Sequence, residues 1–347
     1  MTIQTTERTA SAATDWRKAV ADFQQADTRR SVWQLIDSLA PYAALWVLMY
    51  YSLSVSYWLT LALAVLAAGF LTRVFIIFHD AGHGSFFHSQ RANDVTGIIT
   101  GIMTFTPYFA WRHSHAIHHA TSGDLDRRGV GDVWTMTVDE YLNAPWTTRV
   151  AYRVFRFPPI TFTIGPFFMF AVLHRLTVGV TGERERRSVW WTNLALGLIV
   201  MGAALTIGLP AYLLIQVPIM FFAGAAGVWL FYVQHQFEGM VWEHHDKWDF
   251  VAAALQGSSF YKLPRVLQWF TGNIGFHHVH HLSPRIPNYN LEPCHNSSPL
   301  FQAVKPITLL SSLRSLKFRL WDERSRRLVG FSSVKQRRAE QLKSVIP

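Results

Sequence analysis

The chain has 347 residues, half of them hydrophobic and only 16% charged, where soluble domains carry roughly 25% charged residues. One cysteine, Cys294, excludes an internal disulfide framework and a CxxC zinc ribbon. The net charge of +10 fits either a nucleic-acid binder or a membrane protein with a basic cytoplasmic side. Long uncharged runs exclude the first and support the second.

In chain order, the first 31 residues are polar and carry Arg8, Arg17, Lys18, Arg29 and Arg30. They have no apolar core of the kind a cleaved signal peptide needs. Within them Asp15 to Gln25 reads as a short amphipathic helix, because Trp16, Val20 and Phe23 share one face. Ser38 to Thr72 then runs 35 residues without Asp, Glu, Lys or Arg. Ser188 to Phe237 runs 50. A helix needs about 20 apolar residues to cross a bilayer, so each run predicts a pair of helices. The spans are expected near 40–56, 58–78, 189–207 and 211–232, with turns at Ser52–Ser56 and Gly208–Pro210. So long an uncharged run is hard to wrap inside a soluble domain of this size.

Two further apolar stretches, 95–110 with Pro107 and 157–173 with Pro158, Pro159 and Gly165-Pro166, are too short or too broken to span. They are expected to be interfacial or re-entrant. Both turns between spans lack Lys and Arg, whereas the N-terminal and middle segments are arginine-rich. The positive-inside bias puts both termini and the middle segment in the cytoplasm. The expected organisation is a cytoplasmic N-terminal segment 1–37, a membrane domain 38–300, and a basic cytoplasmic tail 301–347.

Three histidine groups stand out: "HDAGH" at 79–83, "HSHAIHH" at 113–119 and "HHVHH" at 277–281. On helices, His79 and His83 lie at i, i+4. His115, His118 and His119 lie at i, i+3, i+4, and His277, His280 and His281 repeat that spacing. Each group is therefore expected to aim its rings at one point. Eight imidazoles are too many for one metal, so the count favours two. Imidazole suits Zn, Cu, Fe and Ni alike, while structural zinc wants a closed set of four ligands. All three groups must lie on one side of the membrane to share a centre, which the non-spanning reading of 95–110 and 157–173 allows.

HxxxH, HxxHH and a later HxxHH, set around two membrane hairpins, resemble the three histidine boxes of the membrane fatty acid desaturases. The likeness covers roughly 35–300 and extends to "HDAGHGSFF", "WRHSHAIHHATSGDLDRRGVGDVWT" and "GNIGFHHVHHLSPRIPNYNL". These words look like the bacterial and cyanobacterial acyl-lipid branch that makes the Δ12 (omega-6) double bond. The resemblance implies an all-α integral membrane protein with four transmembrane helices in two hairpins. A cytoplasmic helical cap would hold a histidine-ligated, non-haem di-iron site. Its ligands would be His79 and His83 from the first box, His115, His118 and His119 from the second, and His277, His280 and His281 from the third. Relatives use a ninth histidine at the end of the last span, and His235 in "FYVQHQFE" occupies that place.

Some neighbours stay open. His278 offers an alternative register with His281; His277 is preferred because it completes HxxHH. His113 is either exposed or supports a ligand. His88, His174, His244, His245 and His295 lack the spacing and read as surface or polar packing. Asp80, Asp124, Asp132, Glu238 and Asn273 are candidates to orient ligand imidazoles through the second ring nitrogen. Relatives that desaturate at the carboxyl end often carry Gln at the head of box three and a fused cytochrome b5 domain with an HPGG motif. This chain has His277 and no HPGG, which favours the methyl-end branch and a separate electron donor.

By the same resemblance the reaction is oxygen-dependent insertion of a cis double bond into a membrane-lipid acyl chain, oleoyl to linoleoyl. An unactivated methylene has no acidic proton, so the oxidant must come from a cofactor rather than a side chain. O2 leaves as water and two electrons come from outside. Residues 312–347 carry ten Lys/Arg against three Asp/Glu, a surface able to steer an acidic donor such as ferredoxin or to hold anionic lipid. Three other readings compete with this one. A hydroxylase, acetylenase or ketolase would use the same boxes, as would a desaturase of omega-3 or Δ9 specificity. A metal transporter would place ionisable residues inside the spans, where this chain has almost none.

Overall fold

The computed structural model describes residues 16–345, with side chains described as far as Glu340. The chain is built on four long apolar helices in two hairpins: α1 (Thr28–Ser52) with α2 (Tyr57–His83), and, after a middle segment, α8 (Glu183–Thr206) with α9 (Leu209–His235). Between the hairpins come α3 (Gln90–Met103), α4 (Tyr108–Thr121), α5 (Val138–Asn143), α6 (Trp146–Phe155), a five-residue π turn (Ile160–Ile164) and α7 (Gly165–Ala171). After α9 the chain forms α10 (Phe250–Gly257), α11 (Arg265–Phe270), α12 (His277–Leu282) and α13 (Asn288–Ser297). Two pairs of two- or three-residue strands, Phe260–Tyr261 with Pro306–Ile307 and Leu320–Asp322 with Arg327–Val329, are the only sheet among the described residues.

Four helices are long and apolar enough to cross a membrane, and both expected turns fall between them. α2 is the most buried of the four and α8 the least. Tyr42, Leu45 and Met49 of α1, Ala64, Ala67, Leu71 and Val74 of α2, and Ile215 and Ile219 of α9 form one buried core. Small residues on α2 let its neighbours approach closely, as membrane helices require. On α8, Trp190, Trp191, Leu194, Leu198, Met201 and Leu205 are exposed, which suits contact with lipid rather than with water.

The first span departs from expectation. α1 begins at Thr28, not near 40, capped by Asp27, whose side chain accepts from the backbone of Arg29 and Arg30. Its first turns hold Gln34, Asp37 and Ser38. These polar groups find partners on other elements: Gln34 on Asn288, and Asp37 and Ser38 on Arg73 of α2. Hydropathy cannot anticipate such pairing, so the first three turns were hidden. Residues 16–21 are helical, and Val20 is buried with Trp16 and Phe23 packed beside it. Asp15 lies outside the described residues.

The stretch 95–110 is a helix–turn–helix, broken at Thr104–Pro107. Its two arms close tightly because Gly97 has no side chain: a Cβ there would sit 2.1 Å from the Tyr108 ring. Tyr108 in turn donates to the carbonyl of Ala81, at 2.7 Å, tying α4 to the last turn of α2. Helices α6 and 160–175 bend through 64° and could together be a broken span or a re-entrant loop. The Ser188 hydroxyl near the start of α8 accepts from the backbone of Phe109 at the start of α4 (3.1 Å). The stretch between Phe109 and Ser188 thus begins and ends at one level, which fits a re-entrant piece.

Candidate metal centre

Each histidine group is delivered by a helix end. His79 and His83 close α2, where Gly84 takes a left-handed conformation (φ 70°) that stops the helix. His115, His118 and His119 lie in the last two turns of α4. His235 is the last residue of α9. His277, His280 and His281 sit on the short α12. That helix is anchored from outside itself: Gln234 of α9 donates to the carbonyl of Ile274 (2.9 Å), and the backbone N–H of Tyr261 and His278 reach Gly275 and Ser259. Gly275 allows this approach, since a Cβ there would lie 2.3 Å from the Tyr261 oxygen.

The structure brings all nine predicted histidines together, but not as three groups each aimed at one point. They form two clusters. His79, His83, His115, His119 and His280 each bring one ring nitrogen within 4.8 Å of the others. His118, His235, His277 and His281 do the same. Each HxxHH box is therefore divided. The i, i+4 pair faces one cluster, and the i+3 residue, turned about 100° around the helix from the i+4 residue, faces the other. His115 and His119 go with the first box while His118 crosses to His235. His277 and His281 go with His235 while His280 crosses to the first box.

The ring nitrogens are placed as a shared metal would place them. Nε2 of His119 is 3.1 Å from Nε2 of both His115 and His280. Nε2 of His235 is 3.2 Å from that of His118 and 2.9 Å from that of His277. One N–H cannot donate to two rings at once. Ligands bound at about 2.0–2.1 Å sit about 2.9 Å apart at right angles and about 3.3 Å apart in a tetrahedron, so a common ion accounts for the spacing. Nε2 of His79, His83 and His281 is buried with no hydrogen-bond partner at all, a cost that a metal bond would remove. Burial first, and neighbouring imidazoles second, hold His115, His119, His277, His280 and His281 well below the ordinary histidine pKa. This favours the neutral form, which is the form that coordinates metal.

Of the five candidate orienting groups, two touch a cluster ring. Asp80 lies 3.3 Å from His79 Nδ1, and Asp132 accepts from His118 Nδ1 at 2.5 Å. The other oxygen of each is also used: Asp132 by the backbone of Gly129 (3.0 Å), Asp80 by the backbone and side chain of Asn288 (2.6 and 2.8 Å). The other three candidates are corrected. Asp124 holds Arg127 and His245, Glu238 pairs with Arg314 at the surface, and Asn273 bonds Gln268 and the Asn288 carbonyl. Each is near a box in sequence but points to a different neighbour. His278 belongs to neither cluster. Its Nε2 is 3.1 Å from His295 Nδ1, and burial, then His295, pushes its pKa down to about 3. His295 is thus buried beneath α12 rather than at the surface. His113, His88, His244 and His245 are exposed.

Asn288 was missed, as was Arg156. Arg156 is buried at 2% exposure and donates to Tyr232, Gln236 and the Phe318 carbonyl (3.0, 3.0 and 3.1 Å), locking the C-terminal segment against α9 just before and after His235. Neither residue carries a local signal; both act through elements far away in sequence.

Four candidate membrane spans, two of them ending at imidazole clusters able to hold metal ions, define the class of protein. The family model described as "Fatty acid desaturase" matches residues 55–305. A fatty acid desaturase of Bacillus subtilis (strain 168) is 51% identical over 318 residues, 92% of this chain and 90% of that protein. A Synechocystis protein named sn-1 oleoyl-lipid 12-desaturase is 28% identical over 236 residues, covering 65% and 64%. A sunflower (Helianthus annuus) protein named sn-2 acyl-lipid omega-3 desaturase (ferredoxin), chloroplastic, is 26% identical over 244 residues, covering 63% and 50%. The chain belongs to the fatty acid desaturase family, and it is an oxidoreductase of acyl chains and an integral membrane protein.

Proposed function

We propose that the two clusters hold two iron ions, one on His79, His83, His115, His119 and His280, the other on His118, His235, His277 and His281, and that the enzyme converts a membrane-lipid oleoyl chain to linoleoyl at Δ12. The observation that carries the metal reading is the division of nine imidazoles into sets of five and four, each set with one ring nitrogen per residue within 4.8 Å of the others. Bound iron would supply the oxidation of an unactivated C–H bond by O2. The chain's own part is to fix His79 and His118 through Asp80 and Asp132 and to shut water out by burial. The overall change consumes one O2, two electrons and two protons, removes two hydrogens from the chain and releases two waters. Support for Δ12 comes from the Synechocystis relative's name and from His277 heading the third box; the sunflower relative's name carries a different position.

In a host lacking polyunsaturated lipids, expression of the chain is expected to yield the Δ9,12 diene, read by fatty acid methyl ester analysis. A diene with its new bond elsewhere would sink the Δ12 assignment alone, and a hydroxylated product would sink desaturation itself. The basic stretch 312–347 supports a ferredoxin as donor, and a ferredoxin appears in the sunflower relative's name. Reduced ferredoxin is expected to drive turnover in isolated membranes, slowing as salt screens the encounter. Turnover with another donor but none with ferredoxin would rule this partner out.

The arginine-rich ends argue for histidines and both termini in the cytoplasm. Glu238→Cys tests this, because Glu238 is exposed and the native Cys294 is buried. Labelling of intact cells by an impermeant thiol reagent would place the site outside; labelling only after lysis is expected.

A further inference from the structure

Asp80 follows His79 directly on α2, and side chains at i and i+1 of a helix do not face each other. Its Oδ1 nonetheless lies 3.3 Å from His79 Nδ1, a contact longer than the roughly 2.9–3.0 Å usual for an N–H···O bond. Such a contact holds a carboxylate loosely, so the aim of Asp80 is set at its other oxygen. That oxygen, Oδ2, takes two bonds from one residue. The backbone N–H of Asn288 reaches it at 2.6 Å and the Asn288 side-chain amide at 2.8 Å. Asn288 opens α13, so its N–H is one of the donors that a helix start leaves without an intrahelical partner. A negative charge is favoured at that end of the helix dipole.

Asn288 is held in turn by Gln34 of α1. Gln34 Nε2 donates to Asn288 Oδ1 at 2.9 Å, and Asn288 Nδ2 donates to Gln34 Oε1 at 3.2 Å. This reciprocal pair fixes which way the Asn288 amide points. Turned over, Asn288 would set its own oxygen against the carboxylate, and two acceptors cannot bond. Gln34, Asp80 and Asn288 are all buried, away from water that could replace these bonds. Among the described residues His79 is the sole ion-pair partner of Asp80, and a buried carboxylate is costly without a countercharge. His79 Nε2, on the far side of the ring, is buried and has no hydrogen-bond partner. A cation there supplies the countercharge through the ring, in the carboxylate–histidine–metal arrangement.

We propose that Asn288 is a positioning residue for the five-histidine site: through Asp80 it sets the direction of the His79 ring, and Gln34 sets Asn288. This rests on the reading of that cluster as a metal site. The chain leaving the third histidine box reaches Asn288 after the turn 283–287. One short stretch therefore delivers His280 to the five-membered set and secures His79 within it, so that the first and third boxes hold one register. Gln34 extends the same line to the first turns of α1, which explains why polar residues are kept there in a helix otherwise suited to lipid.

The test reads metal affinity rather than turnover. Anaerobic Fe2+ binding to the purified full chain, stripped of metal in neutral detergent, is measured by competition with a chromophoric chelator. In a His235→Ala background only the five-membered set stays complete, and in a His83→Ala background only the four-membered set does. Asn288→Ala is expected to weaken Fe2+ by roughly tenfold in the first background and to leave the second unchanged. Tenfold is the low end of the loss seen when a group orienting a metal-bound histidine is removed, because the Asn288 N–H stays in place. Asp80→Ala should weaken the first background by roughly 10–100-fold. Adding Asn288→Ala to Asp80→Ala should then cost nothing more, since residues in one network do not add. Gln34→Ala, which leaves Asn288 itself intact, should weaken the first background alone and by less than Asn288→Ala. Asn273→Ala removes a bond to the Asn288 carbonyl (3.2 Å) without touching Asp80 and should change neither background. Equal weakening in both backgrounds, additive losses in the double variant, or an effect of Asn273→Ala as large as that of Asn288→Ala would overturn the proposal. So would unchanged affinity in Asn288→Ala or, where that protein fails to accumulate, in Gln34→Ala. An unsubstituted chain that takes up no Fe2+ sinks the metal reading itself, whereas two bound ions with no effect of Asn288→Ala sink the positioning role only.

Discussion

His235→Ala is expected to lower desaturation by more than roughly a hundredfold while the protein still inserts and folds. The bound comes from comparison: losing a group that merely orients a metal-bound histidine costs about 10–100-fold, and losing a ligand must cost more. His235 is the hub of the four-membered cluster, with its Nε2 3.2 Å from that of His118 and 2.9 Å from that of His277. Removing it leaves three imidazoles where four converged. The other set of five has no part in it, so on the proposed two-iron reading purified variant protein should keep about one of two irons. Metal analysis and product yield together check this. Two retained irons with wild-type yield would remove His235 from the site and leave the helix end without a purpose for that ring.

Asp132→Ala carries the second largest effect, a loss of about 10–100-fold in turnover. Asp132 accepts from His118 Nδ1 at 2.5 Å and is itself held by the Gly129 backbone at 3.0 Å. A carboxylate can only accept, so it fixes Nδ1 as the protonated nitrogen and leaves the Nε2 lone pair for metal. Asp132→Asn keeps the shape and an acceptor oxygen but loses the charge and should recover only part of the loss, whereas a purely steric role would let the isosteric Asn recover all of it. Glu238→Ala is the matched control. It stands close to His235 in sequence, yet its side chain pairs with Arg314 at the surface, and an exposed pair contributes little. Turnover of Glu238→Ala should stay within twofold of wild type, about the scatter expected of a surface change. A large loss there, with none at Asp132, would invert the assignment of orienting groups.

The neutral state of the cluster rings has a stability consequence with a definite sign. The pKa values of His115, His119, His277, His280 and His281 are depressed by burial and by neighbouring imidazoles. In the unfolded chain these histidines titrate near 6.5. Below that value the unfolded state binds more protons than the folded one, so stability falls as pH falls. Metal binding acts in the same direction, because protons compete with the ion for the same nitrogens.

Much of this protein is legible along the chain. Two uncharged runs specify two hairpins, since bilayer thickness sets helix length without reference to any neighbour. Histidines at i, i+3 and i+4 specify rings near one another on a helix, since helical periodicity is local. All nine histidines read as ligands from these patterns and from the family resemblance do meet in space. What local pattern could not supply is which ring joins which cluster. His118 and His119 are adjacent in sequence and belong to different sets, because each box faces across a gap to two other elements. The same holds for Asp132 against Asp124, for His278 against His277, and for the early start of α1. Each depends on a partner more than a dozen residues away: His118, Arg127 with His245, His295, and Asn288 with Arg73, respectively, apart from the local Arg127 contact. Hydropathy and spacing describe one segment at a time, whereas a side chain's partner is set by how segments pack. The sequence alone therefore determined the spans and the imidazoles, and only the tertiary structure decided their division into five and four, the two carboxylates that orient them, and the amide pair that holds one of those carboxylates.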